Sequence, residues 1–548
     1  MIAVNSLRIP AKILLVDTAA QSGRQIGGRS IESAAVTEAV ARAAVRPAWW
    51  RREILWLLLA LAVGAGFRIA RSGFENPTFD ELWHLELSTG RGSLHASLPE
   101  DVLIPAAPAA TSLAGAPAWP AVWPMRGAVH PPLYFLVLRA WRETVGSGEA
   151  AARALSILGS LAAIALLFRA VHLTSGPPAA AWAALLFAVS PTQVWIGQQV
   201  RGYALLQAVG MAAVLALVRL ERRPRAGAFA ALGLGVLALM LTHYFAIGGA
   251  LAIGIYALVR LRGRARAGAV AALALAALVY AVVWGPFLWA QREYAFEADA
   301  WLLERSPEHV WLTFRRLAAW PGRLAASYRL DTPWPYLSAA LLVVPPFLLR
   351  RRPGLLLWWL QVAGVLGFLA ALDLLRGTGH LRFARYSALA APAAFALFTA
   401  SLSALPSWLR HGAPALVLLL ALAFSRSMYA VEEPGWPRLG RILDERARPG
   451  EALLFYRGQA PEWYADTWYL GASHYARGFP RPIVRLSRAA TPALLQELPG
   501  RTAWLLAGPL GPGDASRVLP GASVLEQHDV PGLVSCIRLR LPARKSPP

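Results

Sequence analysis

Apolar stretches recur along this chain from residue 54 to about residue 429, separated by short arginine-rich turns. A helix needs roughly 20 apolar residues to cross the hydrocarbon core of a bilayer. The pattern predicts about eleven spans, at 54–70, 154–168, 180–196, 203–220, 228–241, 246–259, 267–288, 336–349, 355–374, 388–403 and 413–430. Three turns carry clustered positive charge: Glu221-Arg222-Arg223-Pro224-Arg225, the run from Arg260 to Arg266, and Arg350-Arg351-Arg352. Arginines mark the cytoplasmic side of membrane proteins. With Arg51 and Arg52 before the first span, the N-terminus is expected in the cytoplasm and the C-terminus outside it.

The segment from His130 to Trp141 decides this threading. As a span it would turn all three arginine clusters outward. About ten apolar residues before Arg139 are too few to cross, so the segment is expected to lie flat in the interface. A second interfacial helix is expected in the outer loop 292–333. There Val310, Trp311, Phe314 and Leu317 share one helical face, with Arg315 and Arg316 on another.

Beyond residue 430 charge returns and short β-type runs appear at 452–456, 482–486, 503–507, 523–525 and 534–541, with a helical stretch at 492–497. The chain therefore reads as a cytoplasmic tail (1–52), a helical membrane region (53–430) and a small extracytoplasmic α/β domain (431–548). The tail lacks a signal-peptide core, because its apolar stretch, Ile13 to Val16, is too brief.

Composition agrees. Of 548 residues, 56% are apolar and 16% charged, and the mean hydropathy is +0.44, which excludes an ordinary soluble protein. The formal charge of +23 lies largely in the turns, so it orients the chain and does not point to nucleic acid. Cys536 is the single cysteine. It permits neither an intrachain disulfide nor a multi-cysteine metal site.

Candidate chemistry begins just past the first span, in Asn76-Pro77-Thr78-Phe79-Asp80-Glu81-Leu82-Trp83-His84. The threading puts Asp80 and Glu81 outside the cytoplasm, together with His84, His130, Arg201, His243, His380, Arg382 and Arg385. His172 and His411 fall inside. A carboxylate beside several cations suits transfer from a phosphate-linked donor. The carboxylate takes a proton from the acceptor hydroxyl, and arginines stabilise the departing phosphate.

Four segments carry a family resemblance: Phe79-Asp80-Glu81, His130-Pro131-Pro132-Leu133-Tyr134-Phe135, Ser190-Pro191 leading to Gln198-Gln199-Val200-Arg201-Gly202-Tyr203, and Leu241-Thr242-His243-Tyr244-Phe245. Over roughly residues 50–430 the chain resembles the bacterial GT-C glycosyltransferases, integral-membrane enzymes that use polyprenyl-phosphate sugars and are akin to protein O-mannosyltransferases and aminoarabinose transferases. The resemblance implies an α-helical polytopic GT-C fold in the bacterial plasma membrane and a polyprenyl-phosphate sugar donor. It implies Asp80 as base with Glu81 beside it, and His130 and Arg201 at the donor phosphate. Tyr134, Tyr203, His243 and Arg385 are further substrate-binding candidates. The acceptor, whether glycan, lipid or protein, is not specified.

The second outer loop departs from the family pattern. Relatives commonly carry Gln-Glu-Ala-Arg-x-Tyr, and this chain has Gln199 at the acidic position. Between Glu149 and Glu293 the one carboxylate is Glu221, which the threading puts inside. A divalent cation prefers carboxylate oxygens, so no metal cofactor is expected. A rival reading is a catalytically degraded relative that binds lipid-linked glycan or a partner protein. Gln199 favours that rival and Asp80 opposes it. A transporter fits less well, because carboxylates are scarce in the spans and no internal repeat is seen.

Overall fold

The computed structural model describes residues 49–70, 72, 76–298, 300–304, 306–326, 338–349, 352–428, 435–458, 463–508, 514–531 and 533–543. The expected tail lies outside these residues up to position 48, as do Arg350 and Arg351.

The helices of eight residues or more run in order as α1 (Trp49–Ile69), α2 (Phe79–Leu87), α3 (Leu133–Thr144), α4 (Glu149–Ser175), α5 (Pro177–Val189), α6 (Pro191–Gln198), α7 (Tyr203–Arg222), α8 (Ala226–Thr242) and α9 (Ala246–Arg260). They continue as α10 (Gly263–Ala298), α11 (His309–Ala326), α12 (Ala340–Leu348), α13 (Leu355–Arg376), α14 (Ala390–Leu402), α15 (Ser407–Met428), α16 (Gly435–Arg446) and α17 (Trp463–Tyr475). Among the described residues, five helices are long and apolar enough to cross a membrane, or six with the bent pair α5–α6, and α8, α9 and α14 are shorter apolar helices. The chain is a multi-pass membrane protein, with fewer full-length spans by this measure than the eleven expected.

The expected span 180–196 is not one helix. It breaks at Ser190-Pro191 with a bend of 62°. Pro191 brings no N–H and opens the next helix. The carbonyls freed at the break are met by buried Arg68, whose Nη1 donates to the Ala188 oxygen at 2.7 Å while its Nε donates to Ser160 Oγ at 2.7 Å. Elsewhere close packing depends on absent side chains. A Cβ on Gly248 would stand 2.5 Å from the Gly364 carbonyl oxygen, so α9 and α13 meet backbone to backbone.

The segment expected to lie in the interface is α3. It is short, and it buries Tyr134, Phe135 and Leu138. The expected outer loop 292–333 is largely helical, because α10 continues to Ala298 and α11 follows. Val310, Trp311 and Phe314 of α11 are exposed, whereas Arg316 and Arg323 are buried. Leu317 is half-buried against the membrane core.

A six-stranded sheet has the order β1-β3-β2-β4-β6-β5, built from β1 (Ile104–Ala107), β2 (Ala452–Tyr456), β3 (Arg481–Leu486), β4 (Thr502–Ala507), β5 (Ser523–Val530) and β6 (Val534–Arg540). Strands β2, β3 and β4 are parallel, and the others pair antiparallel. The sheet is not made of residues 431–548 alone. Its edge strand β1 comes from the loop after α2 and pairs with β3 through Ile104 and Ile483. A boundary at 431 therefore does not isolate it. Helices α16 and α17 were also unforeseen. Buried Trp436 of α16 donates its backbone N–H to Asn76 Oδ1 at 3.0 Å and its indole N–H to the Pro77 carbonyl at 3.2 Å.

Candidate active site

Asp80 and Glu81 open α2. Thr78 caps the helix, and Glu81 at the third position returns the bond, so both carboxylates are fixed where the chain turns. Their environments then diverge. Glu81 is buried. Its Oε2 accepts the Thr78 N–H at 2.9 Å, and its Oε1 accepts the Val200 N–H at 3.0 Å and lies 3.6 Å from Arg153 Nη1. Arg153 in turn donates to Glu149 at 2.7 Å and to the Gln198 carbonyl at 3.0 Å.

Asp80 keeps a side chain 29% exposed. Arg201 Nη1 donates to its Oδ2 at 2.6 Å, and Arg385 Nη2 stands 4.0 Å from the same oxygen. Burial pushes the Asp80 carboxyl up, but Arg201, Arg385 and His130 outweigh it and hold the group below the ordinary carboxylate range. Arg201 comes from the α6–α7 turn, and its guanidinium lies over the Tyr203 ring at 4.9 Å. Arg385 precedes α14 and is flanked by Phe383 at 4.6 Å and Tyr386 at 5.0 Å.

Beside this pair lies a wall of rings. The centroids of Tyr203 and His243 are 5.3 Å apart, those of His243 and His130 6.1 Å, and those of His130 and His84 5.4 Å. Tyr134 and Phe135 of α3 pack on His84 at 5.7 Å and 5.0 Å. His84, His130, Tyr134, Arg201, Tyr203 and His243 all line one small cleft. Burial, together with neighbouring Arg201 and His130, depresses the imidazoles of His84 and His243 well below their usual range, so both are neutral at pH 7.

The structure thus brings Asp80, His130, Tyr134, Arg201, Tyr203, His243 and Arg385 together and sets Glu81 behind them. Two contributors were not among the site residues expected from the sequence, His84, which the threading places in the outer constellation, and Asp373. His84 sits one helical turn after Asp80, and that i,i+4 spacing was the available signal. Asp373, buried at the end of α13, accepts from Thr378 Oγ1 and from the backbone of His380 and Leu381 at 2.7–3.0 Å, shaping the turn that leads to Arg385. No local pattern marked it.

The donor set does not fit a hard divalent cation. Glu81 is occupied, Arg201 stands against Asp80, and Gln198 donates its amide to the carbonyls of Phe67, Arg68 and Ala70. Among the described residues no group of three or more His, Cys, Asp or Glu side chains is arranged to hold a metal ion. The side chains of Glu293 and Glu297 lie outside the described residues.

The sequence profile of the dolichyl-phosphate-mannose-protein mannosyltransferase family matches residues 129–289, a stretch that includes His130, Tyr134, Arg201, Tyr203 and His243. No curated protein matches the chain. Among solved structures, ArnT from Cupriavidus metallidurans bound to undecaprenyl phosphate aligns with a TM-score of 0.53 at 15% identity, covering 92% of this chain and 100% of that one. The Archaeoglobus fulgidus oligosaccharyltransferase aligns with 0.48 at 14% identity over 83% of this chain and 68% of its own. The arabinofuranosyltransferase AftD from Mycobacteria aligns with 0.44 at 17% identity over 89% and 40%. The chain is a multi-pass membrane protein of the GT-C fold, and its residues 129–289 are similar in sequence to the dolichyl-phosphate-mannose-protein mannosyltransferase family.

Proposed function

We propose that this protein is a membrane glycosyltransferase that moves a sugar from a polyprenyl-phosphate donor to an acceptor outside the cytoplasm, with Asp80 as general base. The observation that carries the reading is the Asp80–Arg201 pair at 2.6 Å with Arg385 alongside. One carboxylate and two guanidiniums supply proton removal and phosphate stabilisation in one place. The arginine-rich turns after α7 and α9 stand at the opposite ends of those helices from the site. That arrangement supports a site on the outer face of a bacterial plasma membrane, with the N-terminus inside. An apolar cavity of about 830 Å³ between α11, α12, α14 and α15 suits the prenyl chain. Arg323 of α11 ties that helix to the carbonyls of Leu381 and Arg382, just ahead of Arg385.

In the mechanism, the acceptor oxygen attacks the anomeric carbon from the face opposite the phosphate, inverting the configuration. Its proton passes to Asp80. The bond from carbon to phosphate oxygen breaks, and the phosphate leaves with the electron pair. Without donor, Arg201 holds Asp80 in its weakly basic form. An arriving phosphate competes for Arg201, and the released carboxylate becomes more basic where the acceptor hydroxyl must lose its proton. Glu81 acts as a positioning residue. No divalent metal takes part, because arginines occupy the place where one would bind phosphate.

The test is Asp80→Asn in purified protein. The amide keeps the shape but cannot take the proton, and loss of a positioned base lowers turnover about 10²–10⁴-fold. Donor binding should persist. Near-normal turnover would remove Asp80 from the mechanism.

A further inference from the structure

Tyr475 is the last residue of α17, in the region that carries the sheet, yet its hydroxyl donates to Glu149 Oε2 at the first residue of the membrane helix α4. We infer that Tyr475 is a positioning residue for the Asp80–Arg201 pair, acting through Glu149 and Arg153, so that the sheet region takes part in setting the geometry of the site. This inference rests on the glycosyltransferase reading and gives the sheet region a part in it.

Glu149 gives each carboxylate oxygen a different partner. Oε2 accepts from Tyr475, and Oε1 accepts from Arg153 Nε at 2.7 Å. With both oxygens held, the carboxylate plane is fixed, and with it the edge of the guanidinium that it meets. Arg153 itself is only 1% exposed, so no water competes for it. Its Nη1 donates to the Gln198 carbonyl at 3.0 Å and stands 3.6 Å from Glu81 Oε1. Gln198 leads into the turn that carries Arg201, and Glu81 follows Asp80 in α2. Arg153 thus joins the backbone on both sides of the Asp80–Arg201 pair. Without the Tyr475 hydroxyl, the 17% exposed Glu149 side chain is free to turn toward water, and Arg153 loses its fixed anchor. The hydroxyl is placed with little slack. Gly440 of α16 lies so close that a Cβ there would stand 2.7 Å from the Tyr475 carbonyl oxygen. Beside Tyr475, His474 Nδ1 is 2.8 Å from Thr111 Oγ1, and one turn earlier Tyr469 donates to the Pro108 carbonyl at 2.7 Å. Burial and the neighbouring Glu149 carboxylate push the Tyr475 hydroxyl pKa up, so the group stays protonated and donates.

The test compares full-length wild type, Tyr475→Phe and Thr502→Ala. Tyr475→Phe keeps the ring and removes only the hydroxyl, so a mere packing role would survive it. Thr502→Ala removes a different hydroxyl-to-carboxylate bond of the same region, to Glu451 beside β2. Hydrogen exchange is read by mass spectrometry on the peptide 198–203, which holds the Val200 amide bonded to Glu81. Exchange there should quicken roughly fivefold or more in Tyr475→Phe and stay within about twofold of wild type in Thr502→Ala. Turnover is read as undecaprenyl phosphate released from a panel of undecaprenyl-phosphate hexoses and pentoses in vesicles of native membrane lipid. In Tyr475→Phe kcat should fall roughly tenfold, as for reacting groups set slightly out of line, with the donor KM within about twofold. Added to Glu149→Gln, the same change should lower kcat no further, because both act along one path. Glu149→Gln alone gives the comparison where Tyr475→Phe does not purify. Unchanged exchange at 198–203 or unchanged kcat in Tyr475→Phe overturns the positioning role. So do equal effects in Thr502→Ala and an additive loss in the double variant. A wild type that releases no undecaprenyl phosphate from any donor overturns the glycosyltransferase reading, and the exchange measurement still decides whether Tyr475 holds the Arg201 turn.

Discussion

Glu81 accepts the backbone N–H of Val200 at 3.0 Å, so one carboxylate joins the helix that carries Asp80 to the turn that carries Arg201. The same side chain caps its own helix and faces Arg153. Glu81→Gln should lower the melting temperature, because an amide cannot accept at every contact and leaves Arg153 short of its counter-charge. Losing such a buried partner costs about 1–3 kcal/mol. Turnover should fall with it while the pH dependence of the remaining activity keeps its wild-type form. Unchanged thermal stability together with a changed pH profile would return Glu81 to the reacting groups.

The two arginines should separate in their sensitivity to shape. Arg201 pairs directly with Asp80, so Arg201→Lys retains charge and part of its function. Arg385 is wedged between the rings of Phe383 and Tyr386, and a lysine ammonium does not stack as a planar guanidinium does. Arg385→Lys should raise the donor KM roughly tenfold, close to the effect of Arg385→Ala. A lysine variant with wild-type donor KM would mean that only the charge matters.

Chelation should not abolish transfer. Protein stripped with EDTA and assayed with its lipid-linked donor is expected to retain activity, and added Mg²⁺ or Mn²⁺ should change it little. Activity lost with EDTA and recovered with metal would require a carboxylate beyond the Asp80 and Glu81 contacts described above.

Acid should loosen the region around α17. His474 Nδ1 lies 2.8 Å from Thr111 Oγ1, and burial with nearby Arg142 depresses its imidazole to about 4. In the unfolded chain the group titrates near its ordinary 6.5. Between those values the unfolded chain binds more protons, so this stability is complete above pH 6.5 and is lost as pH falls toward 4. It amounts to at most about 3 kcal/mol. His84 and His243 act in the same direction. Asp466, whose carboxyl burial pushes up despite Arg485, acts in the opposite one. The melting temperature of wild type should fall between pH 6.5 and 4, and His474→Gln should flatten that fall. An equal fall in both proteins would exclude His474 as a source.

The parts of this fold legible in sequence were those written locally. Strand β2 and the helix Pro492–Glu497 match their apolar runs residue for residue. The break at Ser190-Pro191 was also written locally, in a proline, yet the apolar run around it read as continuous. Strand β1 was not legible, because Ile104-Pro105-Ala106-Ala107 has no strand alternation and is held only by β3. In the site, Asp80 and Arg201 were marked by motif. The separation of Asp80 from Glu81 was not, since it depends on Val200 and Arg153 arriving from other elements. Asp373 escaped because its partners Thr378, His380 and Leu381 form a turn with no periodic pattern.

The pairing of Ile104 with Ile483 has a consequence for biosynthesis. The loop after α2 leaves the ribosome early, but the strand it needs is made hundreds of residues later. Trp436, which holds Asn76 and Pro77 before the Asp80 helix, is also a late arrival. A nascent chain that has threaded most of its helices therefore holds Glu81 and Val200 but still lacks the Trp436 and β3 contacts on either side of the Asp80 helix. Contacts so far apart in sequence form slowly and last. A translation product interrupted before Trp436 carries every residue of the site but lacks these two supports of the segment around Asp80.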